Sequence, residues 1–374
     1  MTLSIRDWAK GNLKGDRHIW YVVLFLSMAS IAVVYSATGT IAYQKMEGNT
    51  EMYLFKHGSL VILGLACMFF AHRVNYIYYA RLSKFGLWLS VPLLLWAYFK
   101  GANLNDASRW ITIPLINQTF QPSDLAKLAL ISNLAAMLAK RQRVEYEPAV
   151  LVNMIGWIGV ICALIVLSNT STALLLGATC FLLMYIGRVP TRYLAGMVTF
   201  CVIVGGFALV LGQRYDTVLG RLERFGDKSK IDYQVEQSYI AMANGGIQGQ
   251  GPGKSHQRNF LPHPYSDFIY AIIIEEYGLW GGVLTLGAYL YLMARGMRAI
   301  QKSTRPFGGL LSAGLTFSIV LQAMINMAVA VGLVPVTGLP LPLLSMGGTS
   351  LLFTGVAIGI VISVSRDEAD ESKI

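Results

Sequence analysis

The apolar run IWYVVLFLSMASIAVVYS, residues 19–36, decides the fold. Its 18 residues carry no charge, and an α-helix needs about 20 apolar residues to cross a bilayer. Basic residues precede the run, and no small-residue cleavage site follows it. This pattern predicts an uncleaved anchor helix in a membrane.

Nine further apolar runs follow along the chain. They lie at residues 55–71, 83–99, 124–139, 147–167, 171–187, 192–212, 267–294, 309–333 and 348–365. Of the 374 residues, 55% are hydrophobic and only 13% are charged, whereas roughly 25% are charged in a soluble domain. The composition excludes a soluble enzyme and a disordered chain. We therefore predict an all-α polytopic protein, a single integral membrane domain over residues 1–374 with about ten transmembrane helices.

The basic residues predict the orientation. The net charge of +10 would suggest a nucleic-acid partner in a soluble protein, but Lys and Arg gather in the cytoplasmic loops of membrane proteins. With the N-terminus inside, cytoplasmic segments carry 18 of the 30 Lys and Arg residues, and the short outside loops carry four. We therefore predict both termini in the cytoplasm, a location in the cytoplasmic membrane and no nucleic-acid partner. The four cysteines lie in apolar runs and predict packing residues, with no metal site.

Two outside segments, 100–122 and 213–266, are too long to be simple connectors. The second follows helix 7 and is rich in charge, glycine and aromatic residues, so we expect it to be ordered and to carry the chemistry. It contains GQGPGKS, residues 249–255, which fails the P-loop pattern because residue 248 is Gln. Two interpretations stay open for its glycines: a surface turn, or a backbone cradle for an anionic headgroup beside Lys254 and Arg258. The glycines are Gly249, Gly251 and Gly253.

Acidic residues concentrate in LPHPYSDFIYAIIIEEYG, residues 261–278. Ser266 is expected to cap the following helix and Asp267 to lie in its first turn, where the helix dipole stabilises a carboxylate. Helix capping is thus a sufficient explanation for Asp267 taken alone. Glu275 and Glu276 would lie at membrane depth, where a carboxylate normally faces a cavity or a partner.

Two other outside segments carry candidate residues. Lys127 follows Asp124 at the i+3 spacing, which favours either a structural ion pair or a lysine that points into a phosphate-binding cavity. The uncharged LVPVTGLPLPLLSMGGTS, residues 333–350, includes Pro340 and Pro342. It predicts a re-entrant or broken element that lines a cavity.

Seven stretches in order resemble the SEDS family (shape, elongation, division and sporulation), which includes FtsW, RodA and SpoVE. The compact length is closer to FtsW than to RodA. The chain departs from the family pattern at Asn169, where an acidic residue is usual. The matching stretches are YSA at 35–37, SRWI with QPSD and Lys127 at 108–127, DYQVEQSYIA at 232–241, the glycine run ending in GKS, SDFI at 266–269, EEYG at 275–278 and PVTGLPLPLLSMGGTS at 335–350.

The resemblance implies a peptidoglycan glycosyltransferase that polymerises lipid II on the outer membrane face. It implies a class B penicillin-binding protein as partner, with other divisome or elongasome membrane proteins, and Asp267 as the essential acid. One carboxylate can serve as the base, because diphosphate is a good leaving group. A divalent cation, Mg or Mn, stays open as a helper. Predicted substrate-binding residues are Arg109, Lys127, Lys254, Arg258, Gln234, Ser255 and Ser345.

Two other functions stay open from the sequence. A lipid II flippase would use Lys127, Glu275 and Glu276 to line a path for the headgroup, and it would make no polymer. A noncatalytic membrane scaffold for a penicillin-binding protein would tolerate Asn at position 267.

Overall fold

The computed structural model describes residues 12–45, 50–104, 107–113, 118–142, 147–212, 215–227 and 231–371. These residues form twelve α-helices and three short strands. The helices are α1 Arg17–Lys45, α2 Thr50–Arg73, α3 Ile77–Lys100, α4 Pro122–Ala139, α5 Pro148–Val166, α6 Thr170–Ile186, α7 Thr191–Leu211, α8 Tyr215–Gly226, α9 Tyr233–Gly245, α10 Ile269–Lys302, α11 Pro306–Ala330 and α12 Ser350–Glu371.

Each of the ten predicted apolar runs corresponds to a helix, which confirms the all-α membrane fold class. Among the described residues, seven helices are long and apolar enough to cross a membrane: α1, α2, α3, α5, α7, α10 and α11. Helices α6 and α12 are shorter apolar helices, and α4 carries Asp124 and Lys127 in its first two turns. Proline at the first helical position starts α4, α5 and α11, where its missing N–H costs nothing.

Small residues let the helices pack closely. A Cβ added to Gly355 of α12 would lie 2.2 Å from the carbonyl oxygen of Gly64 in α2, so the two backbones are in direct contact. Close approach through glycine is the usual way for membrane helices to gain packing contacts, because lipid offers no hydrophobic driving force between them.

The described part of segment 100–122, which the sequence predicts to lie outside, forms a small sheet that the sequence did not predict. Strands β1 Ala102–Leu104, β2 Ala107–Ile113 and β3 Gln118–Phe120 pair antiparallel in the order β1-β2-β3. The aromatic and β-branched residues of WITI at 110–113 favour a strand.

The described part of segment 213–266, which the sequence predicts to lie outside, contains α8 and α9. Helix α9 is fixed to the end of α11, because the Ser238 hydroxyl donates to the carbonyl of Ala330 at 2.8 Å. Helix α8 is amphipathic, and its apolar side chains are exposed. They are Tyr215, Leu219, Leu222 and Phe225.

Candidate active site

The glycine loop, residues 245–258, wraps around a buried carboxylate of the chain itself. Glu275 is fully buried. Its carboxylate accepts hydrogen bonds from the Ser255 hydroxyl and from the backbone N–H groups of His256, at 3.0 Å, and Gln257, at 3.3 Å. Backbone amides of the loop therefore bind an internal carboxylate, whereas the sequence left open a cradle for an anionic headgroup.

The neighbouring Glu276 is buried as well and accepts a hydrogen bond from the Ser36 hydroxyl of α1. The guanidinium of Arg258 donates to the Ser36 carbonyl at 2.9 Å. Ser255 and Arg258 thus have protein partners where the sequence predicted substrate contacts. Lys254 has an exposed side chain.

Helix α10 is broken at Gly278 (φ 68°, ψ −168°). Backbone groups of the glycine loop form hydrogen bonds with the residues on both sides of the break. The amide of Leu279 donates to the carbonyl of Gly246 at 2.9 Å, and loop amides donate to the carbonyls of Glu275 and Glu276 at 2.9 Å. A Cβ on Gly249 would lie 2.3 Å from the Glu276 carbonyl oxygen. Only glycine permits this approach.

Asp267 lies just before α10, which corrects the prediction of a helix cap. The helix begins at Ile269, and its N-cap residue Phe268 makes no side-chain hydrogen bond. Ser266 instead donates its hydroxyl to the Asp267 carboxylate at 2.8 Å. The carboxylate is half-buried, and no ion pair joins it to another side chain in the part of the chain that the structure describes.

The Pro-Gly segment, residues 332–349, passes beside Asp267 with irregular backbone, as the sequence predicted. Such backbone at membrane depth needs protein partners, and side chains of three helices supply them. The side-chain amide of Asn326 donates to the Leu339 carbonyl at 2.7 Å, and that of Gln322 donates to the Pro340 carbonyl at 2.9 Å. The Tyr289 hydroxyl donates to the Pro342 carbonyl, and the Ser30 hydroxyl donates to the Leu344 carbonyl at 2.8 Å.

The Pro-Gly segment and α11 both contact the backbone around Asp267. The Ser345 hydroxyl donates to the Ser266 carbonyl at 2.6 Å, and Asn326 donates to the Asp267 carbonyl at 2.8 Å. Burial raises the pKa of the Tyr265 phenol, and the nearby Asp267 adds to the effect. A Cβ on Gly338 would be 3.6 Å from the Asp267 carboxylate, so the missing side chain leaves room there.

Lys127 forms the structural ion pair that the sequence allowed. Its Nζ lies 2.8 Å from Asp124 and 3.3 Å from the amide oxygen of Gln322. With Pro342 it lines a cavity of ≈ 40 Å³, which is too small for a substrate headgroup. Gln234 is half-buried in the first turn of α9, and the side chain of Arg109 lies outside the described residues.

Two larger cavities, of ≈ 330 Å³ and ≈ 140 Å³, lie under α8. Arg221, Pro335 and Val336 line both, so the Pro-Gly segment forms a wall of each cavity and then runs on to Gly338 beside Asp267. Arg221 and Arg224 were not predicted as site residues. The apolar period of residues 215–225, with two arginines three residues apart beside it, was the available signal.

Comparison with known proteins places this chain in a family. The profile of the FtsW/RodA/SpoVE family, described as "Cell cycle protein", matches residues 16–370. The probable peptidoglycan glycosyltransferase FtsW of Geobacter metallireducens is 33% identical over 95% of this chain and 97% of its own. Stage V sporulation protein E of Bacillus subtilis is 30% identical over 92% of this chain and 95% of its own.

Solved structures share the architecture. A chain of a peptidoglycan synthase complex, solved to explain how polymerization and crosslinking are coordinated, superposes with a TM-score of 0.71 at 25% identity, over 93% of this chain and 98% of that one. The rod shape determining protein RodA of Thermus thermophilus gives 0.69 at 25% identity, over 95% of this chain and 97% of that one. The chain belongs to the FtsW/RodA/SpoVE family of cell cycle proteins.

Proposed function

We propose that this protein is a peptidoglycan glycosyltransferase that polymerises lipid II into glycan strands on the outer face of the cytoplasmic membrane. Its family and the names of its relatives support the activity. The observation that carries the site assignment is the Asp267 carboxylate. It is half-buried, lacks an ion-pair partner among the described residues, and lies beside Gly338 of a segment that also walls two cavities.

In the proposed reaction, Asp267 acts as the general base. It takes the proton from the acceptor sugar's hydroxyl as that oxygen attacks the anomeric carbon of the donor. The bond from that carbon to the diphosphate oxygen breaks, and the diphosphate leaves with the electron pair. A single displacement inverts the anomeric configuration, and a good leaving group needs no second carboxylic acid, unlike the sugar oxygen of a glycoside.

A divalent cation is not assigned a step. No group of three or more His, Cys, Asp and Glu side chains that could hold a metal ion occurs among the described residues. Polymerisation of lipid II with and without a divalent-ion chelator tests whether Mg or Mn assists.

The proposed partners follow from the same family. We propose a class B penicillin-binding protein as the transpeptidase that cross-links the strands, lipid II as the substrate, and other divisome or elongasome membrane proteins as neighbours. The structural likeness to a chain of a synthase complex supports such an assembly.

The flippase hypothesis loses its supporting observation. It relied on Lys127, Glu275 and Glu276 as free charges along a path, and each of them has a protein partner. A scaffold role is compatible with catalysis by the same chain.

The test is polymerisation of fluorescent lipid II by the reconstituted protein with its penicillin-binding partner. We expect Asp267→Asn to lower the rate by at least about 100-fold, since a general base contributes about 10²–10⁴. Glu147→Gln, which changes an exposed carboxylate in a surface ion pair, should leave the rate unchanged. Wild-type activity in Asp267→Asn would refute the assignment of the base, and transport without polymer would favour the flippase.

A further inference from the structure

A buried histidine of α2 is linked to the Pro-Gly segment through a serine of α1. Only 1% of His57 is exposed, and Ser30 is fully buried. The Nε2 atom of His57 lies 2.8 Å from the Ser30 hydroxyl oxygen, and that hydroxyl donates to the Leu344 carbonyl at 2.8 Å. Because a hydroxyl has one hydrogen and a carbonyl can only accept, Nε2 must be the donor to Ser30.

This hydrogen bond gives the Ser30 side chain an uncommon direction. A serine or threonine inside a helix often donates to the carbonyl four residues earlier, which for Ser30 would be that of Leu26. Three residues of this chain do so: Thr38, Ser90 and Thr179. The hydrogen of His57 instead holds the Ser30 hydroxyl toward Leu344, outside its own helix.

Packing alone does not account for a histidine at position 57. The Nδ1 atom is buried and has no hydrogen-bond partner among the described residues. A polar group that is buried without a partner is unfavourable, so an apolar side chain would fill the same space at lower cost. The contact with Ser30 is the feature that only a hydrogen-bond donor supplies.

The carbonyl of Leu344 belongs to a strained part of the backbone. Leu343 is buried and has φ 67°, a left-handed conformation that is unfavourable for leucine. The Tyr289 hydroxyl donates to the carbonyl before it, at Pro342. The Ser30 hydroxyl donates to the carbonyl after it, at Leu344. Such a conformation persists only where the surrounding contacts fix it.

The strained backbone at Leu343 continues into the contacts of Asp267. The Ser345 hydroxyl accepts from the Leu341 amide at 2.8 Å and donates to the Ser266 carbonyl at 2.6 Å. The Ser266 hydroxyl donates to the Asp267 carboxylate at 2.8 Å. A displacement at Leu343 therefore reaches the residue that orients this carboxylate.

From these contacts we infer that His57 is a positioning residue for the Asp267 carboxylate, and that it acts through Ser30 and the strained backbone at Leu343. The inference rests on the proposed function and adds a residue to its machinery. Without the donor at His57, the Ser30 hydroxyl rotates to the Leu26 carbonyl, and the Leu344 carbonyl loses its partner.

The experiment measures polymerisation over a range of lipid II concentrations, by the full chain reconstituted with its penicillin-binding partner. We expect His57→Leu to lower kcat at least about tenfold with little change in KM, because a small displacement of a catalytic group is costly. His57→Gln should restore kcat to within about threefold of wild type, since its amide keeps a donor near the position of Nε2. Ser30→Ala should lower kcat as His57→Leu does, and the double variant should be no slower than either, because both changes remove the same link.

The matched control is His72→Leu. His72 lies on the same helix, is equally buried and contacts the backbone carbonyls of Phe69 and Asn12. It is about 22 Å further along the helix at 1.5 Å per residue, so its loss should lower stability and leave kcat unchanged. Unfolding midpoints verify that each variant is folded.

A normal kcat in folded His57→Leu, or a loss that His57→Gln does not restore, would overturn the inference. An equal loss of kcat in folded His72→Leu would also overturn it, because stability would then explain the effect. Solid-state ¹⁵N NMR of the histidine-labelled chain tests the contact without turnover. The signal that disappears in His57→Gln should show the hydrogen on Nε2, and a hydrogen on Nδ1 alone would overturn the inference. Absence of polymer from wild type would refute the proposed function, whereas normal polymerisation by His57→Leu would refute only the positioning role.

Discussion

Asn326 is the side chain that ties Asp267 to the Pro-Gly segment. Its amide donates to the carbonyls of Asp267 at 2.8 Å and Leu339 at 2.7 Å, and the residue is buried. Asn326→Leu should destabilise the fold, because each buried carbonyl left unpaired costs about 1–3 kcal/mol. We also expect kcat for glycan polymerisation to fall at least about tenfold with little change in KM, because a small displacement of a catalytic group is costly.

Asn153→Leu is the control for this substitution, because Asn153 is exposed on α5. The control should change neither the stability nor kcat. Chemical denaturation in detergent and lipid II titrations measure the two effects. A normal kcat in folded Asn326→Leu would show that Asp267 is positioned by other contacts.

The pair of Lys127 and Asp124 allows a structural role to be separated from phosphate binding. Only 4% of the Asp124 side chain and 15% of the Lys127 side chain are exposed, so Lys127→Met leaves a buried carboxylate uncompensated. Loss of one partner of a buried pair costs about 3–5 kcal/mol. Adding Asp124→Asn to Lys127→Met should therefore recover part of the stability, as a double-mutant cycle measures it.

Polymerisation by the same variants decides between the two roles. If Lys127 is structural, activity should recover along with stability in the double variant. Activity that stays lost in a stable double variant would support a direct phosphate contact by Lys127.

At the scale of elements, the junction of the glycine loop with the broken α10 depends on Gly249. A Cβ there would be 2.3 Å from a backbone oxygen, and its φ is +81°. Gly249→Ala should lower the free energy of unfolding by about 2–5 kcal/mol, because overpacking costs about 1–3 kcal/mol and a left-handed residue about 1–2 kcal/mol.

Two other glycines distinguish the cost of overpacking from the cost of a left-handed backbone. Gly253 has φ +77° and open space around the added Cβ, so Gly253→Ala should show the conformational cost alone. Gly196 is helical with open space, and Gly196→Ala should be neutral or stabilising. Denaturation of the three variants should rank them in that order, and equal stability of Gly249→Ala and Gly253→Ala would contradict the tight contact.

The elements also show which features a sequence can predict. The ten apolar runs were predictable as helices, and seven of these, among the described residues, are also long and apolar enough for a span. The sheet at 102–120 was missed because its strands have three to seven residues. The i+3 spacing indicated the contact of Lys127 with Asp124. That Glu275 occupies the glycine cradle could not be predicted, since the two meet only through the break at Gly278.

At the scale of the whole molecule, a hydrogen bond joins the two ends of the described chain. The backbone N–H of Asp16, just before α1, donates to the Ser365 hydroxyl near the end of α12 at 3.0 Å. The Asp16 carboxylate pairs with Arg295 near the end of α10 at 2.5 Å. Ends on one side of a membrane require an even number of crossings, as the ten predicted spans would provide. The distribution of Lys and Arg predicts that this side is the cytoplasm.

The orientation predicts which end of α10 faces the outside. The part of this helix after the break at Gly278, residues 279–302, alone rises about 36 Å at 1.5 Å per residue, so we expect the two ends of α10 on opposite sides of the ~30 Å core. In a variant without the four native cysteines, Phe260→Cys should react with a membrane-impermeant maleimide in intact cells. Thr304→Cys should react only after permeabilisation. The opposite pattern would place Asp267 on the cytoplasmic side, away from any extracytoplasmic glycan, and would refute the proposed function.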